Sequence, residues 1–301
     1  MLWIFFAILG PIMYAINNIF DKFILTKLIK NAYSYNILTM MFDLIPLSIL
    51  LILVPISNAF PWNLFGFLGG ILIVPALLFY DIGMKNEEAS RVASLEYIYP
   101  IFVAILAFLF LRETLNILEY LGVFLLIIGA ILISYKKVSV KKFAFSPVLI
   151  LLLGYSFFMA IVSMIAKFTL LNFDFFSYYA WSLIGSFSDA VLMLLHKKTR
   201  TNFVSGINII SKKTLAYVFT TCSVFYIGDL SIIIAFSLAS VSIVSALTSL
   251  QPFFTLIFIS ALSIFGIRPI KEELVGTNLR LKIIAIGLIF IGVYLISSLL
   301  I

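Results

Sequence analysis

Long apolar runs follow one another along almost the whole chain, separated by short segments that carry charged or turn-forming residues. An α-helix needs about 20 such residues to cross a hydrocarbon core of roughly 30 Å. Because no water reaches that depth, each run must satisfy its backbone hydrogen bonds internally, and runs of this length are typical of helices and not of barrel strands. The pattern therefore predicts an all-α integral membrane protein with ten transmembrane helices, at residues 2–20, 34–55, 62–84, 91–111, 115–135, 147–169, 177–195, 214–236, 241–264 and 282–301.

The composition excludes a water-soluble globule, since 63% of the 301 residues are hydrophobic, 11% are charged and the mean hydropathy is +1.21. The first run follows Met1 without a basic segment or a small-residue cleavage site, so we expect a retained helix and not a signal peptide. A single cysteine, Cys222, and a single histidine, His196, exclude a disulfide framework and the usual cysteine or histidine metal sites. We expect no metal and no cofactor. Without a paired Asp motif or a Ser/His dyad, we also expect no enzyme.

An internal repeat divides the chain into two predicted domains, residues 1–140 and 141–301. A shift of 152 residues lays 79–111 on 231–263 without a gap and places Pro100 on Pro252. Shorter matches occur near both ends of the repeat, at a shift of 145 for Lys22 and Lys167 and of 163 for the segments that begin at Gly129 and Gly292. Each half then holds five helices. An odd number of spans forces the halves into opposite orientations, which is the inverted-repeat plan of many secondary transporters.

The order of landmarks in the first half resembles a known family. A span that contains Pro100 is followed by an apolar run, by Glu113 and by a helix with Gly122 and Gly129. This arrangement resembles the EamA domain, and the whole chain resembles two EamA copies of the drug/metabolite transporter superfamily. In the second copy the acid is displaced to Glu272 or Glu273, and Ala285 replaces the first glycine. The resemblance implies a multi-pass metabolite transporter of the cell membrane.

The loop charges predict an orientation, because basic residues concentrate in short cytoplasmic loops. All but two of the 20 Lys and Arg residues lie in odd-numbered loops, the exceptions being Arg112 and Lys167. The same bias accounts for the net charge of +7 without nucleic-acid binding. Charge therefore predicts both termini outside, whereas members of the resembled family usually keep them in the cytoplasm. We follow the charges here. Lys167 itself either neutralises an intramembrane acid or extends to the membrane interface.

Acidic residues inside apolar spans are the main candidates for function. Asp43, Glu96, Asp189 and Asp229 lie within spans, and Asp81 lies near the end of one. A carboxylate at such a depth costs at least about 2.5 kcal/mol, so it normally faces a polar cavity, a partner or a proton. The alternative is a structural one, in which a neighbouring Tyr, Asn or Lys holds each acid between helices.

Some of these acids have partners in the repeat or on their own helix. A shift of 146 superposes Asp43 on Asp189, which predicts a pair on facing walls near the middle of the bilayer. Glu96 precedes Pro100 by four residues, and polar residues likewise precede Pro252. In the first helix Tyr14 and Asn18 are four residues apart and share a face. The predicted substrate- or proton-binding residues are Asp43, Asp189, Glu96, Asp229, Tyr14, Asn18, Tyr99 and Gln251.

These features predict a secondary transporter that works by alternating access in the lipid bilayer. An excess of intramembrane acids favours an amine, an amino acid or another cationic or zwitterionic small molecule, and protons are candidate coupling ions. An anionic substrate would instead need basic residues inside. The alternatives are a lipid-headgroup flippase and a non-transporting structural subunit. The expected assembly is a monomer or a homodimer.

Overall fold

The computed structural model describes residues 2–86, 92, 99–134, 147–207, 210–264 and 277–297. Within these ranges the regular structure is helical and no strand occurs. π-helical turns at Ile24–Leu28 and Ala107–Leu111 continue the helices Leu2–Phe23 and Tyr99–Leu106 without a break. The helices are α1 (Leu2–Phe23), α2 (Ala32–Met41), α3 (Leu44–Leu53), α4 (Trp62–Asn86), α5 (Tyr99–Leu106), α6 (Ile117–Ser134), α7 (Pro147–Leu170), α8 (Phe175–Leu195), α9 (Lys197–Ile207), α10 (Lys212–Leu238), α11 (Val241–Thr248), α12 (Gln251–Ile264) and α13 (Thr277–Ser297).

The chain is a multi-pass membrane protein. Large apolar side chains are exposed on its outside, including Ile52 (82%), Phe110 (74%) and Leu195 (72%), as expected of surfaces that face lipid. Two shorter apolar helices lie at Tyr99–Leu111 and Ile117–Gly129. Helix occupies part of each of the ten predicted ranges, but the count of ten spans stays a prediction. Seven helices of the described part are long and apolar enough to cross a membrane: Leu2–Leu28, Ala32–Leu53, Trp62–Asn86, Ile150–Leu170, Phe175–Leu195, Lys212–Leu238 and Val241–Leu262.

Helix packing follows the predicted repeat in several places. α4 packs along α7, and α1 packs along α10. The inverted repeat exchanges these two pairs, because it relates α1 to α7 and α4 to α10. α6 packs along α13, a pair that the repeat maps onto itself. The two five-helix units and the boundary between them near residue 140 stay a prediction.

Two lysines make equivalent contacts in the two halves. The Lys22 Nζ donates to the Met84 carbonyl oxygen at 2.6 Å, and the Lys167 Nζ donates to that of Phe236 at 2.9 Å. Lys167 also donates to the carbonyl oxygen of Ala239 at 2.6 Å. The two lysines are related by a shift of 145 residues, and their acceptors Met84 and Phe236 by a shift of 152. Both shifts are those of the internal repeat in the sequence. Each cation thus lies at a helix C-terminus, where free carbonyls and the helix dipole favour positive charge. This contact does not decide between the two alternatives for Lys167, an intramembrane acid as partner or extension to the membrane interface, and both stay predictions.

Glu113 connects the two halves. Its carboxylate accepts hydrogen bonds from the hydroxyls of Ser240 and Ser242 at 3.1 and 3.0 Å. It also accepts from the backbone N–H groups of Val241 and Ser242, at 3.1 and 3.3 Å. These groups begin α11, where unpaired N–H groups attract a carboxylate. The acid of the EamA-like pattern is therefore a helix anchor in this chain.

Glycines bring α4 and α8 into backbone contact. A Cβ atom added to Gly70 would collide with the carbonyl oxygen of Ser182, and one added to Gly185 would collide with that of Phe67. Gly66 also faces α8, since an added Cβ would lie 2.9 Å from the Cβ of Trp181. Small residues allow this close approach, which is a common way for helices to associate within a membrane. The α4–α8 contact closes one side of the bundle.

Candidate functional site

A cavity lies inside the bundle between α1, α2, α4 and α10, and is called the main cavity below. It comprises about 860 Å³ of empty space, its open mouth included. A second space, the side cavity, adjoins it between α7, α8 and α10. Tyr14, Asp229 and Gln251 are among the residues that line both cavities. The wall of the main cavity contains four acidic side chains and no basic one among the residues described. These acids are Asp21, Asp43, Asp81 and Asp229.

Asp21 lies at one end of the main cavity and joins four helices. Its carboxylate accepts hydrogen bonds from Asn17 Nδ2 of α1 at 2.6 Å and from Thr221 Oγ1 of α10 at 3.1 Å. It also accepts from the hydroxyl of Tyr35 in α2 and, at 3.5 Å, from that of Tyr80 in α4. The Thr221 and Tyr80 hydroxyls are shared, because each lies closer to an amide oxygen, that of Asn17 and that of Asn18 respectively, both at 2.8 Å. This network fixes the position of the carboxylate.

Asp81 lies at the same end and has fewer partners. Its carboxylate accepts one hydrogen bond from Asn36 Nδ2 at 3.3 Å. The Asn36 side chain is fully buried, and its Oδ1 has no hydrogen-bond partner in the structure as described. A buried acceptor without a donor is costly and marks a place where a ligand or water belongs. Tyr35 precedes Asn36 in the chain, Tyr80 precedes Asp81, and both tyrosine hydroxyls donate to Asp21. Asp21 and Asp81 therefore belong to one cluster.

Asp43 and Asp229 lie at the other end, well inside the apolar spans Ala32–Leu53 and Lys212–Leu238. Asp43 occupies the break between α2 and α3, is 3% exposed and accepts a hydrogen bond from the hydroxyl of Ser186 in α8. Asp229 accepts from the hydroxyl of Tyr14 at 3.3 Å. Helix breaks expose backbone carbonyls where a cavity can use them, as in the discontinuous helices of many transporters.

A second break separates α11 from α12 at Ser249 and Leu250. Gln251 begins α12 and lines both cavities. Tyr99 of α5 lines the side cavity, and its hydroxyl is hydrogen bonded to that of Ser163 at 2.9 Å. Polar groups from both halves therefore reach the same internal space.

Most of the predicted site residues lie in these walls. Asp189 does not line either cavity, and is partly exposed on α8. Ser186, one turn before it, makes the contact with Asp43 instead. Glu96 lies outside the described residues. The predicted residues in the walls are Tyr14, Asn18, Asp43, Asp229, Gln251 and Tyr99.

Asp21 was not among the predicted site residues, because it lies just beyond the end of the first predicted span. A signal was present, because Asn17 and Asp21 are four residues apart and share a face of α1 with Tyr14. Three polar residues at helical spacing at the end of an apolar run indicate a polar stripe. Asn36 and Thr221 also line the main cavity and were not among the predicted site residues.

The EamA-like transporter family matches residues 1–135, which span α1 to α6. That family belongs to the drug/metabolite transporter superfamily. The EamA-like nature of residues 141–301 stays a prediction.

A solved crystal structure is similar in fold to this chain. It aligns over 98% of this chain and 95% of the other, with a TM-score of 0.66 and 13% sequence identity. No curated protein sequence matches the chain. Identity this low supports the same helix arrangement and nothing about the substrate.

Proposed function

We propose that the protein is a secondary transporter that carries a small cationic or zwitterionic metabolite through the main cavity by alternating access. The observation that supports this most directly is the charge of the cavity wall, where four carboxyl groups occur without a described basic residue. The EamA-like family is a family of transporters. Intramembrane acids that face a cavity are typical of substrate and ion pathways.

The sign of the charge selects the substrate class. An ammonium group supplies three hydrogen-bond donors and a positive charge, which suit carboxylate and amide oxygens in a place of low dielectric constant. An anionic metabolite would meet uncompensated repulsion from Asp43 and Asp229. These two acids are also the groups that we propose to exchange protons during transport, since hydroxyl donors that can rotate face each of them.

The two sides of the bundle differ in a way that suits alternating access. The inverted repeat relates the closed α4–α8 contact to α10 and α2. A shift of 152 places Gly70 on Cys222, and a shift of 146 places Gly185 on Thr39. Cys222 and Thr39 both line the main cavity, where the Tyr226 hydroxyl of α10 donates to the Thr39 carbonyl oxygen of α2 at 3.3 Å. Glycines thus bring the two helix backbones together on one side, whereas a cavity lies beside their counterparts, and we propose that rocking of the halves exchanges the two arrangements.

A thermal-shift screen of the purified protein in detergent tests the substrate class. We expect alkylamines or amino acids to raise the melting temperature, because a ligand present at 100 times its Kd stabilises the folded state by about 2.7 kcal/mol. Nucleotide sugars serve as the anionic comparison and are expected to have no effect. Stabilisation by a nucleotide sugar and by no amine would contradict the proposal.

The sidedness of the cavity is tested by cysteine labelling. In a Cys222→Ser background, single cysteines replace Ser57, between α3 and α4, and Ser205 of α9, both of which are exposed. The loop charges predict that an impermeant maleimide added to intact cells labels position 57 and spares position 205. Both should react after permeabilisation, which controls for access. The reverse pattern would show that the usual family orientation prevails.

A further inference from the structure

The main cavity has carboxyl groups at both of its ends, and the proposed function uses only one of them. Asp43 and Asp229 lie well inside their apolar spans. Asp81 lies with Asp21 at the opposite end, toward the connection between α1 and α2. The second cluster is not required by the fold, because the repeat places Ala166 on Asp21 and Ile233 on Asp81. Both counterparts line the side cavity, where they present apolar surface.

The separation of the two ends follows from helix geometry. On α1, Tyr14 is bonded to Asp229, and Asp21 lies seven residues further along. On α2, Asn36 is bonded to Asp81, and Asp43 likewise follows after seven residues. At 1.5 Å per residue both helices place the ends about 10 Å apart. Apolar side chains line the wall between them, among them Met40, Leu77, Cys222 and Phe225.

The acceptors at the second end are not equally available. Asp21 accepts from four side chains and is a positioning residue for its neighbours. Asp81 accepts from Asn36 alone in the described contacts, and the buried Asn36 Oδ1 accepts from nothing. Both residues line the main cavity, which places this acceptor-rich pair beside its space. An ammonium group with three donors fits such a pair of oxygens.

We infer that the main cavity binds an extended aliphatic diamine, with one ammonium group at Asp81 and Asn36 and the other at Asp43 and Asp229. The methylene chain of the ligand lies against the apolar middle of the cavity. This inference rests on the proposed function, since it names the substrate class of the same cavity. A monoamine would occupy one end and leave the acceptors of the other end without donors.

Isothermal titration of the purified protein in detergent tests the inference, with the titration into protein-free micelles subtracted. Hexamethylenediamine spans both ends, and hexylamine has the same chain with a single ammonium group. We expect the diamine to bind about 10- to 100-fold more tightly than hexylamine, because its second ammonium group adds one charge-assisted hydrogen-bonded contact. We also expect putrescine, whose chain is shorter, to bind less tightly than hexamethylenediamine.

An Asp81→Asn variant locates the second ammonium group. It should bring the diamine affinity down to that of hexylamine for the unaltered protein. Glu119→Gln is the matched control, because Glu119 lies away from the cavity and glutamine retains its helix-capping contact with Asn116. Equal affinities of diamine and monoamine for the unaltered protein would overturn the two-ended site but leave the proposed function intact. Absence of binding by every amine, with binding of a nucleotide sugar, would overturn the proposed function itself.

Discussion

Replacing Asp43 by Asn is expected to lower amine transport by about 10- to 100-fold without loss of the folded protein. A hydrogen bond to a charged group contributes about 1.5–3 kcal/mol, and the substitution removes the charge while keeping the shape of the side chain. The hydroxyl of Ser186 still finds an acceptor in the amide oxygen of the substituted side chain. Removing an intramembrane charge also eases insertion, so the expression level should not fall.

Uptake of radiolabelled putrescine into proteoliposomes, with and without a pH gradient, measures this effect. Asp229→Asn is expected to behave like Asp43→Asn because Asp229 lines the same part of the cavity. Asp189→Asn is the informative comparison. Loss of transport at Asp43 and Asp189 alike would support the pair that the repeat predicts. Loss at Asp43 alone would favour the cavity walls as the guide to function, and full transport by Asp43→Asn would contradict a role for this acid.

Substituting Ala for Gly70 is expected to remove most of the folded protein, although the change adds a single methyl group. The new Cβ would collide with the carbonyl oxygen of Ser182 and lie 2.9 Å from the backbone nitrogen of Ser186. Overpacking a well-packed core costs about 1–3 kcal/mol, and we expect the upper part of that range because backbone atoms cannot rotate away. The α4–α8 contact would have to open.

Size-exclusion chromatography and the melting temperature in detergent report this loss. Gly287→Ala is the matched control, since no atom lies within 4 Å of a Cβ at that position of α13. Alanine is the better helix former, so this variant should fold as well as the unaltered protein or slightly better. Equal melting temperatures for the two variants would show that α4 and α8 are less closely packed than described.

The residues show why part of the site was predictable. An acid in an apolar run is costly wherever the helix packs, so Asp43 and Asp229 are recognisable from hydropathy alone. Asp21 is not, because charged residues at helix ends are common and inexpensive. Its four donors come from α1, α2, α4 and α10, and only packing brings them together.

Asp189 and Glu113 illustrate the same limit. The repeat relates Asp189 to Asp43, but rotation of α8 about its axis decides which residue of that turn reaches Asp43, and that residue is Ser186. Glu113 belongs to the pattern that resembles EamA, yet nothing near it in the chain reveals that it holds α11, more than a hundred residues away.

Membrane insertion, helical structure, the repeat and the EamA-like pattern of the first half follow from the amino-acid sequence, because each depends on the hydropathy of contiguous residues or on the order of short segments along the chain. The close α4–α8 contact, the cavity beside α2 and α10, and the two acidic ends of that cavity depend on helix rotation and approach. Those are set by side chains and backbone atoms of helices distant in the chain, such as Gly70 against Ser182 and Asp81 against Asn36. Contacts of this kind have no local periodicity, and for that reason they emerge only when the bundle is assembled.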